Sequence, residues 1–307
     1  MKLPEELQFM ANARKPQKST RVRMDGQWCI ITGATSGVGY QAARRFAEGG
    51  ANLVLVCRNP AKAEKVREEL VSEYSVGASV VLADFTRLED VRSAAAQILD
   101  TVPRIHVLIN NAGLHNTTRS LTPDGHETVY GVIHLASFLL TCLLLDRLRT
   151  SQPSRIIQVN SEGHRFGSLD LDDITWEKRR YRGIKGYGAA KTAQLLTVWE
   201  LAEKLKDSGV TINAMHPGAV RSAIGSNNGL IYRLYSKLIV QPLLKDPAIA
   251  AEALYYLAAA PEMAGINGRF FNLTIDEKPA AHALDPELRR KVWDLSLRQA
   301  GITESEL

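Results

Sequence analysis

A chain of 307 residues, 45% hydrophobic and 23% charged, can bury a sizeable core and reads as one soluble globular domain with a tail at each end. Its net charge of +5 is modest, and the basic residues near the start (Arg14, Lys15, Lys18, Arg21 and Arg23) lack aromatic interleaving. They read as a solvated arm over residues 1–24, with no nucleic-acid partner expected.

Cys29, Cys57 and Cys142 are odd in number and lie far apart in apolar strings, which argues against a disulfide framework or zinc site and for buried thiols in a reducing compartment. The start has no apolar signal-peptide core. The apolar run from Val132 to Leu145 is broken by His134 and falls short of the ~20 residues a bilayer requires. A cytoplasmic protein without membrane contact is expected. His106, His115, His126, His164, His216 and His282 do not cluster with cysteines, so no metal is expected.

The elements follow in order. "WCIIT" (28–32) is an apolar run ending in glycines, and "GYQAARRFAEGGA" has helical periodicity closed by Gly49 and Gly50. "NLVLVC" predicts a second strand, "PAKAEKVREELVSEY" a second helix opened by Pro60, and "ASVVLAD" a third strand. The alternation continues through "LEDVRSAAAQILDTV" and "VLINNAG" to one long helix over "GHETVYGVIHLASFLLTCLLLDRL". Then come a fifth strand at "RIIQVNS", a helix at "GYGAAKTAQLLTVWELAEKL", a sixth strand at "GVTINAMHPG" and a seventh at "GRFFN". The tail "DPELRRKVWDLSLRQAGI" reads as a capped amphipathic helix that serves packing.

Apolar strands alternating with helices imply a parallel sheet of right-handed βαβ units, covered on both faces. The expected fold is therefore a doubly wound α/β domain of about seven strands, spanning 25–275, with a helical tail over 276–307. Ligands in such sheets bind beyond the carboxyl ends of the strands.

There, "TGATSGVG" (Thr32 to Gly39) places Gly33, Gly37 and Gly39, with Ser36 and Val38, where the first strand turns into the first helix. A turn without side chains lets backbone amides approach a pyrophosphate at a helix N-terminus, though a tight βα turn alone would also take glycines. The second strand ends in Cys57 and Arg58, where an NAD site commonly carries a carboxylate for the ribose 2′-hydroxyl. A guanidinium there suits a 2′-phosphate, so NADP(H) is the expected cofactor; a solvated surface arginine is the other reading.

Tyr187 and Lys191 stand one turn apart near the start of a helix, among small residues. With nine tyrosines in the chain, a lone YxxxK arises by accident about half the time. Taken with the glycine turn, Asp84, the "NNAG" of Asn110 to Gly113, Ser161 and the Pro217–Gly218 pair, it resembles the short-chain dehydrogenase/reductase family, from about Asp25 to Asn272. "TPDGHETVYGVIHLASFLLT" and "NSEGHRFGSLDLDDITWEKRRY" are similar to segments of its retinol dehydrogenase-like branch.

The resemblance implies a Rossmann fold and hydride transfer between nicotinamide C4 and a carbonyl or carbinol carbon. It implies Tyr187 as the acid, Lys191 as the cation that lowers its pKa and binds the ribose, and Ser161 as polariser of the substrate oxygen. Small residues at 188–190 would leave space for that ribose. Ser161 alone could be a turn serine. Asp84, Asn111, Ala112 and Gly113 match positions near the adenosine half, and Pro217, Gly218, Val220 and Ser222 a segment beside the nicotinamide.

One position departs from the family. Ile133 stands where an asparagine usually distorts the helix and links the lysine through water to solvent, and isoleucine has no side-chain donor or acceptor. Two readings follow: an enzyme, in which Ile133→Asn raises turnover, or a catalytically weak or inactive NADP-binding scaffold or sensor.

Residues 222–246 match the family's substrate lid, and the apolar, aromatic "IGSNNGLIYRLYSKLIVQPLL" points to a small lipophilic carbonyl or alcohol substrate, or equally to a lid packed on its own core. The helices holding Ile133 and Tyr187 commonly pair across a twofold axis in the family, which implies a homodimer or homotetramer. Burial against the sheet would give the same apolar pattern.

Overall fold

The computed structural model describes residues 11–12, 14–221, 224, 228 and 244–307. Ser222 and most of the lid segment lie outside the described residues. The strands are β1 (Trp28–Thr32), β2 (Asn52–Cys57), β3 (Ala78–Leu82), β4 (Val107–Asn110), β5 (Ser154–Val159), β6 (Val210–His216), β7 (Phe270–Asn272) and β8 (Ile275–Asp276). They form one sheet in the order β3-β2-β1-β4-β5-β6-β7-β8. All pairings are parallel except β7 with β8, where Phe271 faces Asp276 and Asn272 faces Ile275. The sheet thus has eight strands where seven are expected. The eighth is two residues long, too short for any alternation to show in the sequence.

The inner strands are buried on both sides because each face of the sheet is covered. On one face α1 (Gly37–Glu48), α2 (Pro60–Tyr74) and α8 (Ala248–Ala259) bury Phe46, Leu53, Leu55, Leu70 and Tyr255. On the other, α3 (Leu88–Thr101), α5 (Ala136–Leu143), α7 (Gly183–Lys204) and α9 (Pro286–Ala300) bury Ile30, Leu108, Ile156, Leu196 and Trp293. The chain leaves β1 for β2 on one side and reaches β4 on the other, so the sheet has its switch point between β1 and β4. That is where such folds leave a crevice.

The single long helix expected over 125–148 is instead a series. A short α4 (Thr128–Tyr130) runs into a π-helical turn (Gly131–Leu135), then α5, then α6 (Leu145–Thr150). Ser137 Oγ donates to the Ile133 and His134 carbonyls at 2.7 and 3.0 Å, drawing main-chain acceptors out of the regular ladder.

The apolar circumference of these helices is spent within one chain. α9 is capped by Asp285, whose side chain accepts from Glu287 N and Leu288 N, and is stopped by left-handed Gly301 (φ 62). It lies over α5 and α7, with Trp293 edge-on to Phe138 at 5.3 Å and Ser296 Oγ 2.8 Å from His134 Nε2. The apolar faces of α5 and α7 are thus met in part by α9 of the same chain.

The described residues of the arm are hydrogen-bonded to the strands' far edge. Asn12 Nδ2 donates to Glu277 Oε2 (2.9 Å), Lys18 N to Thr274 Oγ1 (2.9 Å) and Thr274 N to Gln17 Oε1 (3.0 Å), while Arg14, Lys15, Lys18, Arg21 and Arg23 stay exposed. Among the described residues no helix is long and apolar enough to cross a membrane.

Candidate active site

The glycine turn closes against the loop after β4. Gly33 is left-handed (φ 70), and a Cβ on Gly39 would overlap the Gly33 carbonyl oxygen and Asn111 Nδ2. Asn111 Nδ2 donates to the carbonyls of Thr32 (2.9 Å) and Gly33 (3.3 Å). Thr32 Oγ1 in return accepts from Asn111 N and Ala112 N, both at 2.9 Å. The Asn111 amide thus stitches two strand ends together, and its donors point into the turn.

α1 begins at Gly37 without a carboxylate in its first turn, and the Ser36 hydroxyl makes no capping hydrogen bond. Its first N–H groups and partial positive charge are therefore not neutralised locally. A dinucleotide pyrophosphate fits this end, with Gly33, Ser36, Gly37 and Val38 along it.

Asp84 Oδ1 accepts from the N–H (3.0 Å) and hydroxyl (2.9 Å) of Thr86, which holds the turn after β3. Arg58 is exposed beyond β2 and borders a cleft of about 340 Å³ with Thr86, Leu114 and Asn116. Pro217 follows β6, and Gly218 (φ 79) begins a crossing in which Val220 bridges to Lys245.

Ser161, Tyr187 and Lys191 come together beyond β5. Ser161 caps the 3-10 turn Glu162–Phe166 and accepts from Gly163 N at 3.0 Å. α7 comes against this turn backbone to backbone, because Gly188 has no Cβ: one there would lie 2.6 Å from the Gly163 carbonyl oxygen and 2.7 Å from Gly167 N. The small residue beside Tyr187 therefore serves helix packing, where the sequence suggested room for a ribose. A Cβ on Gly163 would stand 2.7 Å from Tyr187 Cε1. Gly163→Ala is expected to push the phenol off its position and lower kcat on the order of 10²-fold with the fold intact, checked by steady-state kinetics beside circular dichroism.

Burial raises the Tyr187 phenol, and the Ser161 hydroxyl hydrogen-bonds it and acts against that rise. Lys191 is 4% exposed and is itself pushed down to about 7 by burial. Its Nζ lies 5.9 Å from the Tyr187 ring centroid and donates to Val159 O (2.7 Å) and Gln194 Oε1 (3.1 Å), so its charge is directed at carbonyls.

His115, after "NNAG", stands edge-on to the Tyr187 ring at 5.8 Å and narrows the approach to it. Asn160 Nδ2 donates to the Lys191 carbonyl at 3.0 Å, fixing α7 to the end of β5. Sequence reasoning passed over Asn160, Gly163, His115 and Gln194. Gln194 alone had a readable signal, its place one helical turn after Lys191.

Ile133 lies between the "NNAG" loop and α7, with Cγ1 3.6 Å from where a Gly113 Cβ would be. The helix is distorted there without an asparagine. What faces α7 is the main-chain carbonyl of Ile133, which accepts from Gln194 Nε2 at 2.8 Å. The Ile133 side chain is 0% exposed among apolar neighbours. Ile133→Asn is therefore expected to destabilise the fold by about 1–3 kcal/mol without raising turnover, since it buries an amide with no partner prepared for it. Denaturant unfolding and kcat read the two effects, and the sign on turnover is the reverse of the sequence expectation.

The doubly wound sheet, with a glycine turn at its switch point and Ser161, Tyr187 and Lys191 beyond β5, is an α/β domain of the dinucleotide-binding type. The chain belongs to the short-chain dehydrogenase family, whose model for short chain dehydrogenase matches residues 27–229. It is 38% identical over 301 residues to retinol dehydrogenase 13 of Homo sapiens, covering 96% of this chain and 89% of that protein. Among solved structures it is similar to an uncharacterized protein from Mycobacterium Paratuberculosis (TM-score 0.72, 28% identity, 91% of this chain and 95% of that one). It is also similar to a 3-ketoacyl-(acyl-carrier-protein) reductase from Brucella melitensis complexed with NADH (TM-score 0.61, 26% identity, 82% and 97%). The family is one of oxidoreductases acting between alcohols and carbonyls, and the chain is retinol dehydrogenase-like within it.

Proposed function

We propose that the protein is an NADP(H)-dependent oxidoreductase that interconverts a lipophilic aldehyde or ketone and its alcohol. The observation that carries this reading is the grouping beyond β5 of Ser161, hydrogen-bonded to the Tyr187 phenol, with Lys191 Nζ 5.9 Å from the Tyr187 ring. When bound, the dinucleotide supplies or accepts a hydride.

The chain's own residues do the rest. The Tyr187 phenol gives its proton to the substrate oxygen as negative charge develops there, and takes it back in the reverse direction. Ser161 donates a hydrogen bond to that oxygen. Lys191 holds the ribose side of the cofactor and, when protonated, favours the phenolate that remains. Gly33, Ser36, Gly37, Val38 and Gly39 receive the pyrophosphate, Arg58 the 2′-phosphate, and Asp84, Asn111, Ala112 and Gly113 border the adenosine half. Pro217, Gly218, Val220 and Ser222 border the nicotinamide.

Purified protein with NADPH and a panel of medium- and long-chain aldehydes and ketones tests the reading. Retinaldehyde belongs in the panel because a relative is named a retinol dehydrogenase. Consumption of NADPH with at least one of them is expected. NADPH binding with no consumption across the panel would leave the scaffold reading, which the ordered Ser161–Tyr187–Lys191 cluster does not favour.

A further inference from the structure

Gln194 lies at the centre of the site, buried, with both ends of its amide engaged. Nε2 donates to the Ile133 carbonyl at 2.8 Å, and Oε1 accepts from Lys191 Nζ at 3.1 Å and from Asn160 Nδ2 at 2.9 Å. These partners come from three elements: the π-helical turn, α7 itself and the residue after β5. They also fix which way the amide points, since a flipped amide would set NH₂ against the ammonium and oxygen against a carbonyl.

We infer that Gln194 is a positioning residue, tying the Lys191 ammonium to the main-chain carbonyl that the π-helical turn presents at Ile133 and holding Lys191 within reach of Tyr187. This rests on the oxidoreductase reading above. An ammonium has three N–H donors. Val159 O and Gln194 Oε1 take two of them, which fixes the direction of the third.

The Ile133 carbonyl takes part because the helix is widened there. Gln194 Nε2 and Ser137 Oγ both reach it, so the link runs through backbone and survives the loss of an asparagine side chain. Lys191 thereby gains a route of dipoles across the site that Ile133, as a side chain, has no atoms to provide.

The charged surroundings make this arrangement measurable. Lys191 is brought to about 7 by burial. The groups that face it are Tyr187 on its own helix and His216 at the end of β6, with His164 and Arg165 behind the latter. Burial lowers His216 to about 3 and His164 to about 4, so both are neutral near pH 7. The Ile133 turn contributes a carbonyl, and its neighbour His134 is directed at Ser296.

Two variants separate positioning from packing. Gln194→Met keeps length and burial but removes both hydrogen-bonding ends. Gln194→Glu keeps the acceptor and adds a negative charge. The readouts are the pH dependence of NADPH binding by fluorescence titration, the Tyr187 ionisation by ultraviolet difference spectra against Tyr187→Phe, and kcat with KM.

The methionine variant is expected to move the lysine-linked transition in NADPH binding down by about one pH unit and to cut kcat about tenfold, with substrate KM within about twofold. The glutamate variant is expected to move that transition upward. Transitions unmoved in both variants, or moved the same way in both, overturn the inference. If the methionine variant does not fold, the glutamate variant decides it by the direction of its shift. A wild-type protein that binds NADPH but reduces nothing sinks the proposed activity, while the binding transition still tests Gln194.

Discussion

Replacing Tyr187 with phenylalanine is expected to lower kcat/KM for carbonyl reduction by about 10²–10⁴-fold while leaving NADPH binding within a few-fold of wild type. The substitution deletes one oxygen. Phenylalanine keeps the ring against Gly163 and the edge-on contact with His115 at 5.8 Å, so a loss of rate reports the missing proton. Steady-state kinetics with fluorescence titration of the cofactor measure both sides.

The pH dependence has a definite sign. Reduction needs the phenol protonated, so its rate holds at low pH and falls as pH rises through the phenol pKa, while alcohol oxidation needs phenolate and rises over the same interval. Burial raises that pKa and Ser161 opposes the rise, so Ser161→Ala is expected to move the fall in reduction to higher pH. If Tyr187→Phe reduces substrate at the wild-type rate, the proton comes from another group and the mechanism is wrong.

What could be read in advance divides along the range of the interactions. The limits of β2 and α2, the proline that opens α2, the Asp285 cap and the left-handed Gly301 that ends α9 are all set by residues within a few positions of the feature they fix. The glycine turn belongs with them, because a left-handed Gly33 and a Gly39 without room for a Cβ are local demands.

The misreadings are of another kind. Gly188 looked like space for a ligand because its real partner, the turn after β5, is far away in sequence. The π-helical turn was read as plain helix because the hydroxyl of Ser137 and the amide of Gln194 that draw on the Ile133 carbonyl leave no periodic trace. In both cases a partner distant in sequence, the turn after β5 for Gly188 and Gln194 for the Ile133 carbonyl, has a part that local pattern does not carry.

The choice of cofactor puts the same distinction to a test at the surface. Arg58→Glu is expected to reduce the preference for NADPH over NADH by about 10²-fold, read as the ratio of the two dissociation constants, by losing a charge-assisted contact and adding repulsion. Arg58 is the one charged side chain among the described residues that line the cleft it shares with Thr86, Leu114, Asn116, Thr117 and Ser120, so recognition of a phosphate there falls to it. Cys57 just before it offers no substitute, since burial pushes its thiol up to about 11 and keeps it neutral.

Because Arg58 is exposed, the wild-type preference should also shrink as ionic strength rises, an effect that Arg58→Glu abolishes. A ratio unchanged by the substitution at low salt makes Arg58 a solvated residue and removes the argument for NADP(H) over NAD(H), while the proton chemistry at Tyr187 stands untouched.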